Sequence, residues 1–229
     1  MENQYNQIMK YCLSLLLYSL SLSLYSGQGF QLPKNCTAVK TVYGDLDKDG
    51  RDEKVIVCNL NQTKDLKKNY KRVLYILRQN SNNQYQLFKK NTNILWDSKE
   101  CGFCFEESSD PLIGISVKNN TLIIEHEIHN NSRRTESYKQ IFRYQNNDWY
   151  LIGSKYRYWD TCDFDYTYDI NFSTQKINIA KDTGSCDDIE DSKKESSSFE
   201  TYTYKFPKVT MDTYKATEIK FKPKVYFYY

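Results

Sequence analysis

Glycine and proline are scarce in this chain, at 8 and 4 of 229 residues. Disordered and low-complexity chains are rich in one or both, so their scarcity argues for a folded domain. Charge of one sign is also lacking: 32 Lys and Arg stand against 29 Asp and Glu, a net of +3. Nucleic-acid binding draws on a concentrated positive field. The lysines here are scattered, so no nucleic-acid partner is expected. Histidine occurs only as His126 and His129. On a strand their odd separation sends them to opposite faces, so they cannot easily share a metal, and Glu125 and Glu127 fall on the face of His129. The chain has no Gly-x-Ser-x-Gly stretch and no phosphate-binding glycine loop. Two common catalytic and nucleotide-binding designs are thereby absent.

What the chain does have is tyrosine, 21 copies of it, a residue that favours strands. Val73-Leu74-Tyr75-Ile76 and Tyr85-Gln86-Leu87 flank an Asn-rich turn. Ile141-Phe142-Arg143-Tyr144 and Trp149-Tyr150-Leu151-Ile152 repeat the device around Asn146-Asn147. Ile113–Val117 and Thr121–His126 do so around Asn119-Asn120, and Tyr168–Phe172 and Gln175–Ile179 around Ser173-Thr174. Asparagine tolerates positive φ, which tight hairpins require. No segment after the amino terminus keeps an apolar helical period. The expected fold is mainly β: antiparallel hairpins in one sandwich-like or open blade-like domain, with final strands near 201–204, 219–221 and 225–227. Residues 182–200, rich in Asp, Glu, Lys and Ser, are expected to be a solvated loop. Its acids (Asp187, Asp188, Glu190 and Asp191) lack the alternation of a metal loop.

The first 29 residues read as an export signal. Lys10 precedes an apolar run from Tyr11 to Leu20, and small residues Ser26, Gly27 and Gly29 follow. Met9-Lys10 makes a better basic start than Met1-Glu2. The alternative is an uncleaved anchor, although serines interrupt the run and it is short for a membrane span. No lipid-attachment pattern precedes Cys12 or Cys36. The mature chain, residues 30–229, is then a single secreted or periplasmic domain without stable membrane insertion. Six cysteines remain in it: Cys36, Cys58, Cys101, Cys104, Cys162 and Cys186. An even set in an exported chain makes disulfides the default. If the strands around residue 48 form a hairpin, Tyr43 faces about Lys54 and Cys58 faces about Val39. A bulge would then bring Cys36 within reach of Cys58, and a bond between these two is expected. Cys101-Gly102-Phe103-Cys104 has redox spacing, but no βαβ pattern surrounds it and Glu100, Glu106 and Glu107 would raise the thiol pKa. A structural disulfide or turn is expected there.

The most specific stretch is Gly44-Asp45-Leu46-Asp47-Lys48-Asp49-Gly50-Arg51-Asp52-Glu53, running into Lys54-Val55-Ile56-Val57. Calcium takes several oxygen ligands from carboxylates, backbone carbonyls and water. Alternating Asp45, Asp47 and Asp49 aim three carboxylates inward, and Gly50 permits the sharp turn. The Arg51 carbonyl and Glu53 carboxylate close the shell. The plain alternative is an acidic hairpin turn without metal. Flanking strands exclude the helix-loop-helix form, whose last ligand would be Ile56.

This run resembles the calcium loop of FG-GAP or VCBS repeats, and weaker similarity continues through Val73–Leu77 and Tyr85–Phe88, about residues 39–88 in all. The resemblance implies one calcium ion held by Asp45, Asp47, Asp49, the Arg51 carbonyl and Glu53. A closed propeller needs several such blades. No second Asp-x-Asp-x-Asp-Gly occurs, so a closed propeller is not expected. The whole also resembles uncharacterised secreted or periplasmic bacterial proteins with one such loop.

Two functions are consistent with these residues. The first is a calcium-stabilised module that binds a protein or glycan without catalysis. The second is a secreted hydrolase using Asp160, Asp163 and Asp165, or His126, with Trp159 stacking on a sugar. A pocket joining those acids to Trp159 is the feature that would favour the second.

Overall fold

Short alternating segments, several of them joined by asparagine turns, build most of the strands among the described residues. The computed structural model describes residues 29–65, 67–104, 106, 109–184, 195–222 and 225–229. The expected export signal, Cys186 and the acids between 187 and 191 lie outside these residues. Every regular element among the described residues is a strand. In chain order these are β1 (Cys36–Gly44), β2 (Glu53–Leu60), β3 (Arg72–Gln79), β4 (Tyr85–Asn91), β5 (Leu112–Lys118), β6 (Thr121–His129) and β7 (Arg134–Gln145). They continue as β8 (Asp148–Asp160), β9 (Phe164–Asn171), β10 (Lys176–Thr183), β11 (Ser196–Thr203), β12 (Glu218–Lys222) and β13 (Val225–Tyr228).

Each sheet is an antiparallel meander. β1 to β4 pair in sequence as a four-stranded sheet, β5 to β11 as a seven-stranded sheet, and β12 with β13 as a ribbon. No sheet closes on itself. The mainly β, open architecture expected from the hairpin pattern is therefore the fold, and it is not a closed propeller. Two hairpins turn on asparagine pairs at positive φ, Asn119 and Asn120 at 51° and 54°, Asn146 and Asn147 at 51° and 61°. These are the paired left-handed residues of a type I′ turn, whose twist matches that of the flanking strands.

Alternation places one face of each sheet in a common core. Val55, Val57, Leu74 and Ile76 of the smaller sheet belong to the same buried cluster as Leu122, Ile124, Phe142, Trp149 and Ile170 of the larger. The carboxyl-terminal segment completes it with Phe206, Met211, Tyr214 and Phe227. Met211 is tied in by its amide to the Trp149 carbonyl at 2.8 Å and by its own carbonyl, which accepts from Asn91 Nδ2 at 2.8 Å.

Two expectations need correction. Residues 182–200 are not all loop, because β10 runs to Thr183 and β11 begins at Ser196, with Thr183 opposite Ser196. Backbone pairing to β10 forms this edge strand although its serines bury little. The expected Cys36–Cys58 bond is also not formed; both thiols are free. The hairpin register is as read, with Tyr43 opposite Lys54, and a bulge does occur between Ala38 and Lys40. It pairs Ala38 with Cys58 and Cys36 with Leu60, making the two cysteines diagonal neighbours. Diagonal positions lie about 7–8 Å apart, beyond the usual disulfide span of about 4.4–6.8 Å. Cys58 is fully buried, and that burial, with Cys36 beside it, pushes its thiol up to about 12. Such a thiol is unreactive.

Candidate functional site

The acidic run forms the connection between β1 and β2. Its aspartates first organise their own backbone. Asp45 accepts from the amides of Lys48 at 2.6 Å and Gly50 at 3.2 Å, Asp47 from that of Asp49 at 3.1 Å, and Asp49 from that of Arg51 at 2.8 Å. Lys48 and Gly50 adopt φ of 69° and 82°. Space around Gly50 is open, so its conformation is what favours glycine there. Leu46, fully buried, plugs the loop into the core, and Asn120 Nδ2 donates to the Asp45 carbonyl at 2.8 Å. The asparagine turn between β5 and β6 thus tethers the loop to the larger sheet.

One carboxylate oxygen from each of Asp45, Asp47 and Asp49 lies within 4.8 Å of the other two. Oxygens bound to one calcium at about 2.3–2.6 Å cannot be more than roughly 5 Å apart, so the spacing fits that ion. Glu53 is not part of that trio. It sits one layer deeper, fully buried, with Oε2 accepting from the amides of Leu46 at 2.6 Å and Asp47 at 3.3 Å. Oε1 is buried with no hydrogen-bond partner among the described residues. Burial above all, with Asp47 and Asp49 nearby, pushes the Glu53 carboxyl up to about 7. A buried carboxylate oxygen without a partner is costly, and a cation is one way to satisfy it. Arg51, whose carbonyl is the remaining expected ligand, turns its side chain outward to Asp49 at 2.7 Å and the Asn80 carbonyl at 3.3 Å.

The loop also borders a cleft that the sequence did not disclose. Arg78, at the end of β3, donates to Asp47 Oδ2 at 3.2 Å, and its guanidinium lies 4.4 Å over the Phe88 ring. Phe88 in turn meets Tyr144 edge-on at 4.8 Å. The only hint in sequence was an arginine directly after the apolar run Val73–Leu77.

The residues suggested for hydrolysis do not form one site: Asp160 and Asp163 share Arg133, at 2.7 and 3.3 Å, while His126 is elsewhere in the core. His126 is buried, its ring stacked on Trp96 at 4.7 Å, and neither ring nitrogen has a hydrogen-bond partner among the described residues. His129 lies on the opposite face, as strand parity requires, with Glu127 at 3.4 Å and Thr135 Oγ1 at 3.1 Å. Asp160 is fully occupied by Arg133 at 2.7 Å, Arg134 at 3.3 Å and the amides of Cys162 and Asp163. Burial acts to raise its pKa, but the Cys162 amide, Arg133 and the other donors outweigh burial and hold the carboxyl down at about 2. Asp165 is paired with Arg157, whose guanidinium covers Trp159 at 4.5 Å. A cleft of about 520 Å³ has Asp160, Asp165, Asp182 and Glu195 in its walls. Neither Trp159 nor Asp163 lines it.

Cys101 and Cys104 form a disulfide, Cα to Cα 5.5 Å. Its turn clamps the end of β6, with the Phe103 amide donating to the His129 carbonyl at 2.6 Å and the His129 amide to the Cys101 carbonyl at 3.0 Å. A structural link explains this pair fully. Cys162 is disulfide-bonded as well, its partner lying outside the described residues. No helix of the described residues is long and apolar enough to cross a membrane. Compared with family models, curated proteins and solved structures, the chain matches none.

Proposed function

We propose that this chain is an exported β-rich module, stabilised by one calcium ion, that binds a protein or glycan partner without catalysing a reaction. The observation that carries the reading is the acidic loop: three clustered carboxylates above a buried Glu53 with an unpartnered oxygen. The ion would be held by Asp45, Asp47, Asp49, the Arg51 carbonyl and Glu53, and would replace carboxylate repulsion with coordination. The FG-GAP likeness rests on the residues of this loop. Export is supported by the basic and apolar amino-terminal segment and by disulfides, which persist in oxidising compartments. The engagement of Asp160 and Asp163 by Arg133 and of Asp165 by Arg157, with His126 buried against Trp96, supports binding over hydrolysis.

Thermal unfolding in calcium and in chelator tests the reading. Binding to the folded state alone stabilises by about 2.7 kcal/mol at a hundredfold excess over Kd, roughly 5–10 °C for a domain of this size. Asp47→Ala should abolish most of that response. Asp52→Ala, which changes an exposed loop residue outside the ligand set, should keep it. Equal melting temperatures with and without calcium in the unsubstituted protein would refute the reading.

A further inference from the structure

The two arginines nearest the loop are both engaged by carboxylates that a cation would claim. Arg78 holds Asp47 at 3.2 Å, and Arg51 holds Asp49 at 2.7 Å. The Asp47 side chain is 6% exposed whereas that of Arg78 is 47% exposed, so the guanidinium occupies the outward side of the pair. Both arginines face one cleft of about 580 Å³. Its other walls include Gln79, Asn80, Gln86 and Asn147, with the rings of Phe88 and Tyr144. Amides donate to and accept from hydroxyls, aromatic rings stack against the apolar faces of sugars, and guanidinium groups grip carboxylates in a fork. The cleft offers all three within reach of one another.

A divalent ion among Asp45, Asp47 and Asp49 would draw their charge onto itself. The field holding Arg78 on Asp47 and Arg51 on Asp49 would weaken, and their positive charge would be left facing the cleft. Glu53 is a second observation beside the trio: its Oε2 accepts from the Leu46 and Asp47 amides of this loop, and its Oε1 is buried without a hydrogen-bond partner among the described residues. We propose that this cleft binds a carboxylate-bearing sugar and that the sugar and the loop cation strengthen each other's binding. The inference rests on the calcium reading above. Linkage makes the effect reciprocal, and couplings of this kind are typically about 5–150-fold in affinity.

The test measures binding of cellobiouronic acid and cellobiose to the full mature chain, in calcium and in chelator, beside a calcium titration without sugar. The expected result is uronate binding at least about fivefold tighter with calcium, cellobiose bound weakly in both conditions, and calcium bound more tightly when the uronate is present. Arg78→Gln should bind calcium and keep its thermal response while losing the preference for the uronate. Arg51→Gln, which leaves the Arg51 carbonyl in place, should weaken uronate binding in the same way. If calcium does not bind at all, the reading of the loop falls and the coupling falls with it. If calcium binds but uronate affinity is the same with and without it, only this inference is overturned. Calcium-dependent binding of triglutamate with none of cellobiouronic acid would also overturn it, by assigning the cleft to acidic peptides.

Discussion

At the scale of single residues, His126 shows how a buried group sets pH behaviour. Burial first, then the positive charge of Arg72, hold its pKa down at about 3; the neighbouring Gln140 and Asp110 oppose the effect and Lys40 adds to it. The unfolded chain takes up a proton near the ordinary value of 6.5, and the folded chain does not until about 3. Protons therefore favour the unfolded state across that window, and stability is lost as pH falls through it, by at most about 1.4 kcal/mol per pH unit. His126→Phe keeps a ring against Trp96 and removes the titration. Glu53, raised to about 7, contributes the opposite slope to both proteins, so urea unfolding at a series of pH values should show the variant gaining stability relative to the native chain as pH falls from about 6.5 to 5. An unchanged slope would count against the assignment. His126 was legible as a strand residue facing away from His129, because parity alone decides that. Its stacking on Trp96 was not, since the two meet only through the packing of a long connection onto the sheet. The carboxylate trio was legible for the opposite reason: its residues are four positions apart at most, and local bonds hold them.

At the scale of elements, the hairpins follow from their turns. Asn119 and Asn120 hold φ of 51° and 54°, a conformation that costs an ordinary residue about 1–2 kcal/mol and a β-branched one more. Asn119→Val should lower stability by about 2 kcal/mol, read as a shift in urea midpoint at constant slope. Asn119→Gly should hold stability near that of the native chain, since glycine reaches positive φ freely. A valine variant as stable as the glycine variant would contradict the turn assignment. Asparagine pairs thus announced two of the turns, and Tyr43 opposite Lys54 was readable from the symmetry of the β1–β2 hairpin. The bulge between Ala38 and Lys40 was not assigned a register by the residues around it, and that register kept Cys36 and Cys58 diagonal instead of bonded. The end of edge strand β11 falls where a strand near 201–204 was expected, but its beginning, from Ser196 to Glu200, escaped notice because ladder bonds to β10 form it, leaving its serines no hydrophobic pattern to show.

At the scale of the whole molecule, sequence pattern gave the strand-rich class but not the partition. Which strands join the four-stranded sheet and which the seven-stranded sheet depends on a break between β4 and β5, where the connection carries the Cys101–Cys104 turn. The cleft next to the acidic loop is likewise assembled from the loop itself, the β3–β4 hairpin and the β7–β8 turn. Such a meeting of distant segments leaves no mark at any one of them. All of this supports the acidic loop between β1 and β2. Its proposed calcium binding is measured by isothermal calorimetry of the protein, previously stripped with chelator. One saturable site per chain is expected, lost in Asp47→Ala and kept in Asp52→Ala. A titration showing no site, or one that survives Asp47→Ala unchanged, would contradict it and leave the loop an acidic turn.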